Sequence, residues 1–399
     1  MLAIVCPGQG SQTPGFLAPW LEVPDVAERL RWLSAVAGMD LVTHGTASDA
    51  DTIRDTAVAQ PLIVAAGLVA LPALLPDTVR DPDDAAAVAD VVAGHSVGEL
   101  AAAAVAGVLD PEVAVALAAV RGREMAEACA STPTGMSAVL GGHPDEVLAR
   151  LEELGLDPAN RNGAGQVVAA GPVAALAALA AQPPARARVV PLAVAGAFHT
   201  RYMAPAQEAL AAHAASVTPH DPTATLLSNA DGAAVDSGAE VLSRLVSQVT
   251  SPVRFDACLD TLRDLQVSAV IELPPAGALA GLAKREWKGA GIEVLALTGP
   301  ADLDRARELI AAERGRAEAE HFPDWRMVVA PARGTVSPAE VAEGTHLPAG
   351  TPLGCIRGRR EEVNVSAAYD GVLAEWLVHE GDLVDAGDPI ARLYPEVSA

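Results

Sequence analysis

The sequence predicts a mixed α/β chain: a core on a parallel sheet, a small insertion of strands and helices within it, and an all-β module behind it. Three observations carry this. Two apolar runs, 2–5 and 88–93, each lead into a glycine-rich turn, Pro7-Gly8-Gln9-Gly10-Ser11-Gln12 and Gly94-His95-Ser96-Val97-Gly98-Glu99. The second turn opens a helical pattern, the strand–turn–helix order of an α/β layer. Between Gly135 and Val194, strand-like and helix-like segments alternate. Near the end, a shift of 37 residues aligns Ala330 with Ala367, Gly334 with Gly371, Gly344 with Gly381 and Pro352 with Pro389.

The run 2–5 has no basic residue before it and meets Pro7-Gly8 at once, which predicts a strand and not a signal peptide. The most apolar window, 57–75, holds Gln60, Pro61 and Pro72. It is expected to be a buried helix opened by Pro61, not a membrane span. The strand 88–93 leads into the second turn, followed by a helix over 97–106 closed by Gly107. Asp110-Pro111 supplies an N-cap and a first-turn proline for a helix reaching about Ala130 and carrying Arg121.

Strands over 136–141, 166–171 and 187–194, with helices over 145–154 and 173–181, supply five of the six elements of a βαββαβ order and predict a ferredoxin-like subdomain. The core resumes near Ala195 and runs to about Leu297. A charged helix over 302–320 reads as a connector ended by His321-Phe322-Pro323. The expected division is 1–300 with 135–194 inserted, a helical linker 301–325, and a β module 326–399. Each half of that module reads as three strands, and the halves join near Arg357 to Glu361 as a pseudo-twofold sandwich.

Composition narrows the function. The chain has 399 residues, 51% of them hydrophobic, enough for several ordered domains. With 27 basic and 51 acidic residues the net charge is −24, which argues against nucleic acid or an anionic membrane as partner. Cys6, Cys129, Cys258 and Cys355 lack metal-ligand spacing, so no metal is expected, and their scatter fits free thiols in a reducing cytoplasm.

Gly94 to Gly98 has the G-x-S-x-G pattern of a nucleophile elbow, which lifts one serine out of a strand end. Ser96 is therefore the candidate nucleophile, and a serine hydroxyl needs an adjacent base. His199, in the small-residue turn Ala195-Gly196-Ala197-Phe198-His199, is the candidate; His95 is expected to be structural. An oxyanion needs fixed donors. The Val97 N–H stands at a helix start, and the Gln9 N–H is flanked by glycines that permit close approach. Arg121 could hold a free carboxylate on the acyl group through two parallel hydrogen bonds. Acyl groups without one would leave it unpaired, at a cost on the order of a few kcal/mol.

With Arg121-Gly122-Arg123, the stretch Asn160-Arg161-Asn162-Gly163-Ala164-Gly165-Gln166-Val167-Val168 and Phe198-His199 standing in the same order, about residues 1 to 300 resemble the malonyl-CoA:acyl carrier protein transacylases. The resemblance implies a hydrolase-like core and a ping-pong reaction without a cofactor. Ser96 would take malonyl from malonyl-CoA and pass it to the phosphopantetheine thiol of acyl carrier protein, supplying fatty-acid synthesis. His199 would be general base, Arg121 the carboxylate ligand, and Gln9 part of the oxyanion hole. Asn162 would lie in the pocket, and the main-chain carbonyl of Gln248 would orient the histidine where a hydrolase uses an acid. A base without an acid behind it is weaker, which protects the ester from water. Phe198, with Val97, implies preference for malonyl over methylmalonyl.

The turn Glu272-Leu273-Pro274-Pro275-Ala276-Gly277 departs from the Gly-Pro-Gly of relatives. Lys284-Arg285-Glu286-Trp287-Lys288, with both lysines of the chain, is the expected docking patch for an acidic carrier. The C-terminal repeat, with Asp370-Gly371-Val372-Leu373 and Glu380-Gly381-Asp382-Leu383, resembles biotinyl/lipoyl domains, which attach their cofactor to a lysine between the halves. Arg360 stands about there and no lysine follows Lys288, so neither biotin nor lipoate is expected. An acyltransferase for polyketide synthesis, an esterase and a non-enzymatic scaffold remain the alternatives. The esterase would need an acid between serine and histidine and an HGGG-type loop, which is missing.

Overall fold

The structure, a computed structural model, describes residues 1–74, 89–321, 326–358 and 361–395. It divides into two compact units, Met1–Arg314 and Gly315–Ala399.

The strands of the first unit are β1 (Leu2–Cys6), β2 (Val91–Gly94), β3 (Thr134–Gly141), β4 (Asp157–Gly163), β5 (Gln166–Pro172), β6 (Ala187–Pro191), β7 (Thr225–Leu227), β8 (Val253–Arg254), β9 (Ala269–Glu272) and β10 (Glu293–Ala296). Strands β10-β9-β1-β2-β7 form one sheet, parallel throughout. Along β1, Leu2, Ile4 and Cys6 enter one apolar cluster and Ala3 and Val5 the other. The strand is thus buried on both faces, as a parallel sheet requires. This is the α/β core the sequence predicts; Val88, taken as the start of the second strand, lies outside the described residues.

The second sheet runs β6-β3-β5-β4-β8. Its first four strands are antiparallel neighbours, with helices Pro144–Glu153 and Val173–Ala181 between β3 and β4 and between β5 and β6, the ferredoxin-like arrangement expected. Strand β4 has no alternation to reveal it, since Asp-Pro-Ala-Asn-Arg-Asn-Gly reads as a turn. Pairing with β5 on one side and with β8 on the other makes it a strand.

Two expectations need correction. The apolar helix Thr56–Ala70 does not open at Pro61, which lies inside it. Asp55 caps it instead, accepting from Ala57 N at 2.8 Å, and the carboxylate cap outranks proline as a start signal. Every residue from Ala59 to Ala70 is buried. The segment Thr56–Leu74 is long and apolar enough to cross a membrane, but 78% of its apolar window is buried inside the protein.

The helix Leu303–His321 is more than a connector. Leu303, Ala306, Leu309 and Ile310 are buried in the core, a helical-period stripe hidden among charges. Its Glu313 accepts from the Met1 ammonium at 3.1 Å. Phe322 and Pro323, expected to end it, lie outside the described residues.

The second unit holds β11 (Arg326–Val329), β12 (Gly334–Pro338), β13 (His346–Leu347), β14 (Pro352–Arg357), β15 (Glu362–Ser366), β16 (Gly371–Trp376), β17 (Leu383–Val384) and β18 (Pro389–Pro395). Its sheets run β11-β18-β16-β13 and β15-β14-β12-β17. The sequence repeat maps β11 to β14 onto β15 to β18, and that exchange converts one strand order into the other. This is the pseudo-twofold sandwich expected, with four strands per half where three were read. The two-residue β13 and β17 are too short to show a period. The halves meet in the β14–β15 hairpin, where Arg357 pairs with Glu362 and Gly358 N donates to Glu361 O at 2.9 Å. Arg359 and Arg360 lie outside the described residues.

Candidate active site

Strand β2 ends at Gly94, and two residues on the chain turns sharply: Ser96 has φ +54°, a left-handed conformation costing a non-glycine residue roughly 1–2 kcal/mol. Asn229 holds the turn. Its Oδ1 accepts from Ser96 N at 2.8 Å and its Nδ2 donates to Gly94 O at 2.7 Å. The motif's glycines let the helix Gly98–Val105 start directly against the strand ends. A Cβ on Gly94 would stand 2.3 Å from Glu99 N, and one on Gly98 2.2 Å from Cys6 O.

His199 comes from the loop after β6 and is also left-handed, with φ +59°. Thr134 Oγ1 accepts from Ala197 N at 3.0 Å, and Thr200 Oγ1 donates to Ala197 O at 2.7 Å. The ring is thereby aimed: Nε2 lies 2.7 Å from Ser96 Oγ, and Nδ1 lies 2.8 Å from the main-chain oxygen of Gln248. A carbonyl can only accept, so Nδ1 carries the proton and Nε2 is free to take one from the serine. Burial, then the Arg121 charge, push the imidazole pKa down to about 3, so it is neutral at physiological pH.

Arg121 is buried on the helix Pro111–Ser131. Its Nη1 donates to Gln60 Oε1 at 2.7 Å, and its Nη2 to Gln248 Oε1 at 3.0 Å and Ser96 Oγ at 3.3 Å. Burial lowers its pKa to about 10, with the Glu99 charge opposing; it stays a cation at neutral pH. Two amide oxygens thus fix a guanidinium beside the serine oxygen without neutralising it.

A cavity of about 240 Å³ opens over this cluster, lined among others by Gln9, Val97, Asn162 and Phe198. The Gln9 side chain donates to Arg54 O and Thr56 Oγ1, both at 3.3 Å, which pins the loop carrying its N–H. Asn162 Oδ1 lies 2.8 Å from His95 Nε2, and its Nδ2 donates to Gln166 Oε1 at 2.9 Å. His95 packs edge-on to Phe255, centroids 5.4 Å apart. The structure therefore brings together every site residue singled out from the sequence. The lysine patch is separate: Lys284 and Lys288 are exposed at the end of the helix Ala278–Glu286. In the departing turn, Glu272 accepts from the N–H groups of Gly277, Leu279 and Ala280 at 2.7, 3.0 and 2.8 Å, capping that helix.

Three residues of the cluster escaped sequence reasoning. Gln60 is a polar residue inside an apolar helix, which was a visible signal. Glu99 closes the elbow motif yet sits buried, its Oε1 accepting from Asn229 N at 2.5 Å and its Oε2 bonded to Gln248 Nε2. Asn229 follows a short strand in a polar turn and carries no signal of its own. Among the described residues no group of three or more His, Cys, Asp or Glu could hold a metal.

A serine paired with a neutral histidine and flanked by a fixed cation is equipped for acyl transfer of an anionic acyl group. Comparison with known proteins agrees. Residues 3–321 match the family model described as acyl transferase domain; the chain belongs to that family and is an acyltransferase. Its relatives are more specific. The malonyl CoA-acyl carrier protein transacylase of Mycobacterium tuberculosis (strain H37Rv) is 56% identical over 309 residues, 77% of this chain and 100% of that protein. The protein of the same name from Escherichia coli (strain K12) is 33% identical over 290 residues, covering 71% and 92%. The crystal structure of MCAT from Mycobacterium tuberculosis superposes with a TM-score of 0.72, covering 77% of this chain and 99% of that one at 56% identity. A type II PKS acyl-carrier protein in complex with its malonyl-transacylase gives a TM-score of 0.70 at 28% identity, covering 77% and 99%.

Residues 326–393 match a second model, described as biotin-requiring enzyme. Biotin and lipoate are held through a lysine amide, and the sequence joining β14 to β15 reads Gly358-Arg359-Arg360-Glu361, with no lysine anywhere after Lys288. Arginine cannot form that amide, so the residues present do not fit either group. Protein produced in a biotinylating host is expected to give no band on a streptavidin blot; a band would show attachment elsewhere.

Proposed function

We propose that the chain moves malonyl from malonyl-CoA to the phosphopantetheine thiol of an acyl carrier protein through a malonyl ester on Ser96, supplying fatty-acid synthesis. The observation that carries this reading is the Arg121 guanidinium, buried and 3.3 Å from Ser96 Oγ, within the span of a three-carbon diacid.

His199 Nε2 takes the Ser96 hydroxyl proton as Oγ attacks the thioester carbonyl carbon. The new C–O bond gives a tetrahedral oxyanion, for which the N–H groups of Gln9 and Val97 are the donors. Collapse breaks the C–S bond, and CoA leaves as a thiol with the proton from His199. The second half reverses the roles. The carrier thiol gives its proton to His199, its sulfur attacks the ester carbon, the C–O bond breaks and Ser96 recovers its proton. Throughout, Arg121 pairs with the malonyl carboxylate. The Gln248 main-chain oxygen orients the imidazolium without the full charge of an acid, and the ester survives until the second thiol arrives. The carrier complex of a related fold supports the partner, and the four free cysteines fit the cytoplasmic setting expected.

Ping-pong kinetics with malonyl-CoA and holo carrier protein, with labelled malonyl appearing on the carrier thiol, test the reading; sustained release of free malonate in place of transfer would favour a hydrolase. Two further results are expected. Because the His199 pKa is pushed from 6.5 to about 3, the neutral base persists as the pH falls. kcat/KM for malonyl-CoA therefore holds through pH 6.5 and declines only well below it, since this parameter reports the free enzyme; an inflection near 6.5 would contradict the assignment. Phe198 lines the cavity beside His199, and its ring is the group the family resemblance sets against a 2-methyl branch. Phe198→Ser is expected to raise methylmalonyl loading relative to malonyl by roughly tenfold, a pocket effect of ~1–2 kcal/mol, measured by competition between the two CoA esters.

A further inference from the structure

The main chain of Glu99 donates to Ser96 O at 3.0 Å. Its buried carboxylate is bonded to neither the Ser96 hydroxyl nor His199 and does not line the cavity, yet that carboxylate joins the supports of all three polar groups of the site. Its Oε1 accepts from Asn229 N at 2.5 Å, and Asn229 Oδ1 in turn accepts from Ser96 N at 2.8 Å. Its Oε2 is bonded to Gln248 Nε2. Gln248 Oε1 accepts from Arg121 Nη2 at 3.0 Å, while its main-chain oxygen meets His199 Nδ1 at 2.8 Å. We propose that Glu99 is a positioning residue for substrate selection: by accepting on both oxygens it fixes which way the Gln248 amide faces, and so where the Arg121 guanidinium stands. This rests on the proposed transfer of a carboxylate-bearing acyl group.

The argument is one of donor and acceptor parity. The main-chain N–H of Asn229 and the guanidinium can only donate. An amide between Glu99 and Arg121 satisfies both only with its NH₂ toward Glu99 and its oxygen toward Arg121. A carboxylate at 99 accepts from both neighbours. An amide there cannot: with its oxygen on Asn229 N, its NH₂ faces the Gln248 NH₂, and turning Gln248 over sets an NH₂ against Arg121. Turning the new amide instead sets its NH₂ against Asn229 N. In every arrangement one buried donor faces another, which such networks do not tolerate without moving. Burial raises the Glu99 pKa to about 8, with the Asn229 N–H and the Arg121 charge opposing; against that pull stand N–H donors at both oxygens, the arrangement a carboxylate accepts on both sides.

E99Q keeps shape and volume. Single-turnover loading of Ser96 from malonyl-CoA and from acetyl-CoA, per folded protein, is the measurement. The malonyl-to-acetyl ratio is expected to fall about tenfold, because only malonyl needs the guanidinium in place. A merely structural role would lower both rates together, and an unchanged ratio overturns the proposal. Gln248→Leu removes that side chain's bonds to Glu99, Asn229 and Arg121 and keeps the main-chain oxygen. It is expected to lower the ratio by a similar factor, and the double variant by no more than either single change, since the two act in series. Additive losses would overturn the proposal. If E99Q does not fold, Gln248→Leu alone decides, again by the ratio. Failure of the unaltered protein to load malonyl would overturn the functional reading and the proposal with it, so the two failures are distinguishable.

Discussion

Arg121→Ala is expected to lower malonyl loading by about two orders of magnitude while acetyl loading holds or rises. The guanidinium is buried and bonded to two amide oxygens and to Ser96 Oγ. Removing one partner of a desolvated charged pair costs roughly 3 kcal/mol or more, close to a hundredfold in rate. The opposite sign for acetyl follows from the same contact. An acetyl ester leaves the cation facing a methyl group, and deleting the cation deletes that penalty. Arg121→Lys is expected to recover little, since an ammonium cannot hold both Gln60 and Gln248 and still present two parallel donors. Parallel loss of both acyl groups in Arg121→Ala would mean the arginine only supports the fold. The variant also removes the second cause of the low His199 pKa, so the acid limb of its loading profile is expected to move upward.

His199→Ala is expected to lower loading roughly a thousandfold for either acyl group, with substrate binding little changed. Nε2 is 2.7 Å from the serine oxygen, and no other described side chain beside that oxygen is a neutral base: Arg121 is charged and His95 is bonded to Asn162. The contrast with Arg121→Ala is the informative part. Loss of the base is blind to the acyl group, whereas loss of the guanidinium is not. The acceptor behind His199 is a main-chain oxygen, so no side-chain change at Gln248 deletes it.

The sequence made Ser96, His199 and Arg121 legible for different reasons. Ser96 lies in a motif whose glycines are required because a Cβ on Gly94 or Gly98 would stand only 2.2–2.3 Å from neighbouring backbone atoms, a constraint visible as a pattern. His199 and Arg121 are ordinary residues by local measures; only their order with the two glycine-rich turns singles them out. Gln60, Glu99 and Asn229 stayed hidden because their partners lie far along the chain, as in the bond from Asn229 to Gly94 across 135 residues. The fold shows the same division. Strand β1 is legible because five apolar residues in a row announce burial on both faces, while β4 exists only through its neighbours. Pro61 misled because proline marks helix starts in general, and a stronger cap stood at Asp55.

Peptide mapping by mass spectrometry is the most direct test, after brief exposure of the unaltered protein to equal amounts of malonyl-CoA and acetyl-CoA. The account predicts a malonyl ester on the peptide bearing Ser96, exceeding the acetyl ester by about a hundredfold, and its loss to added carrier thiol. Equal amounts of the two esters, or malonyl on a residue other than Ser96, would contradict it.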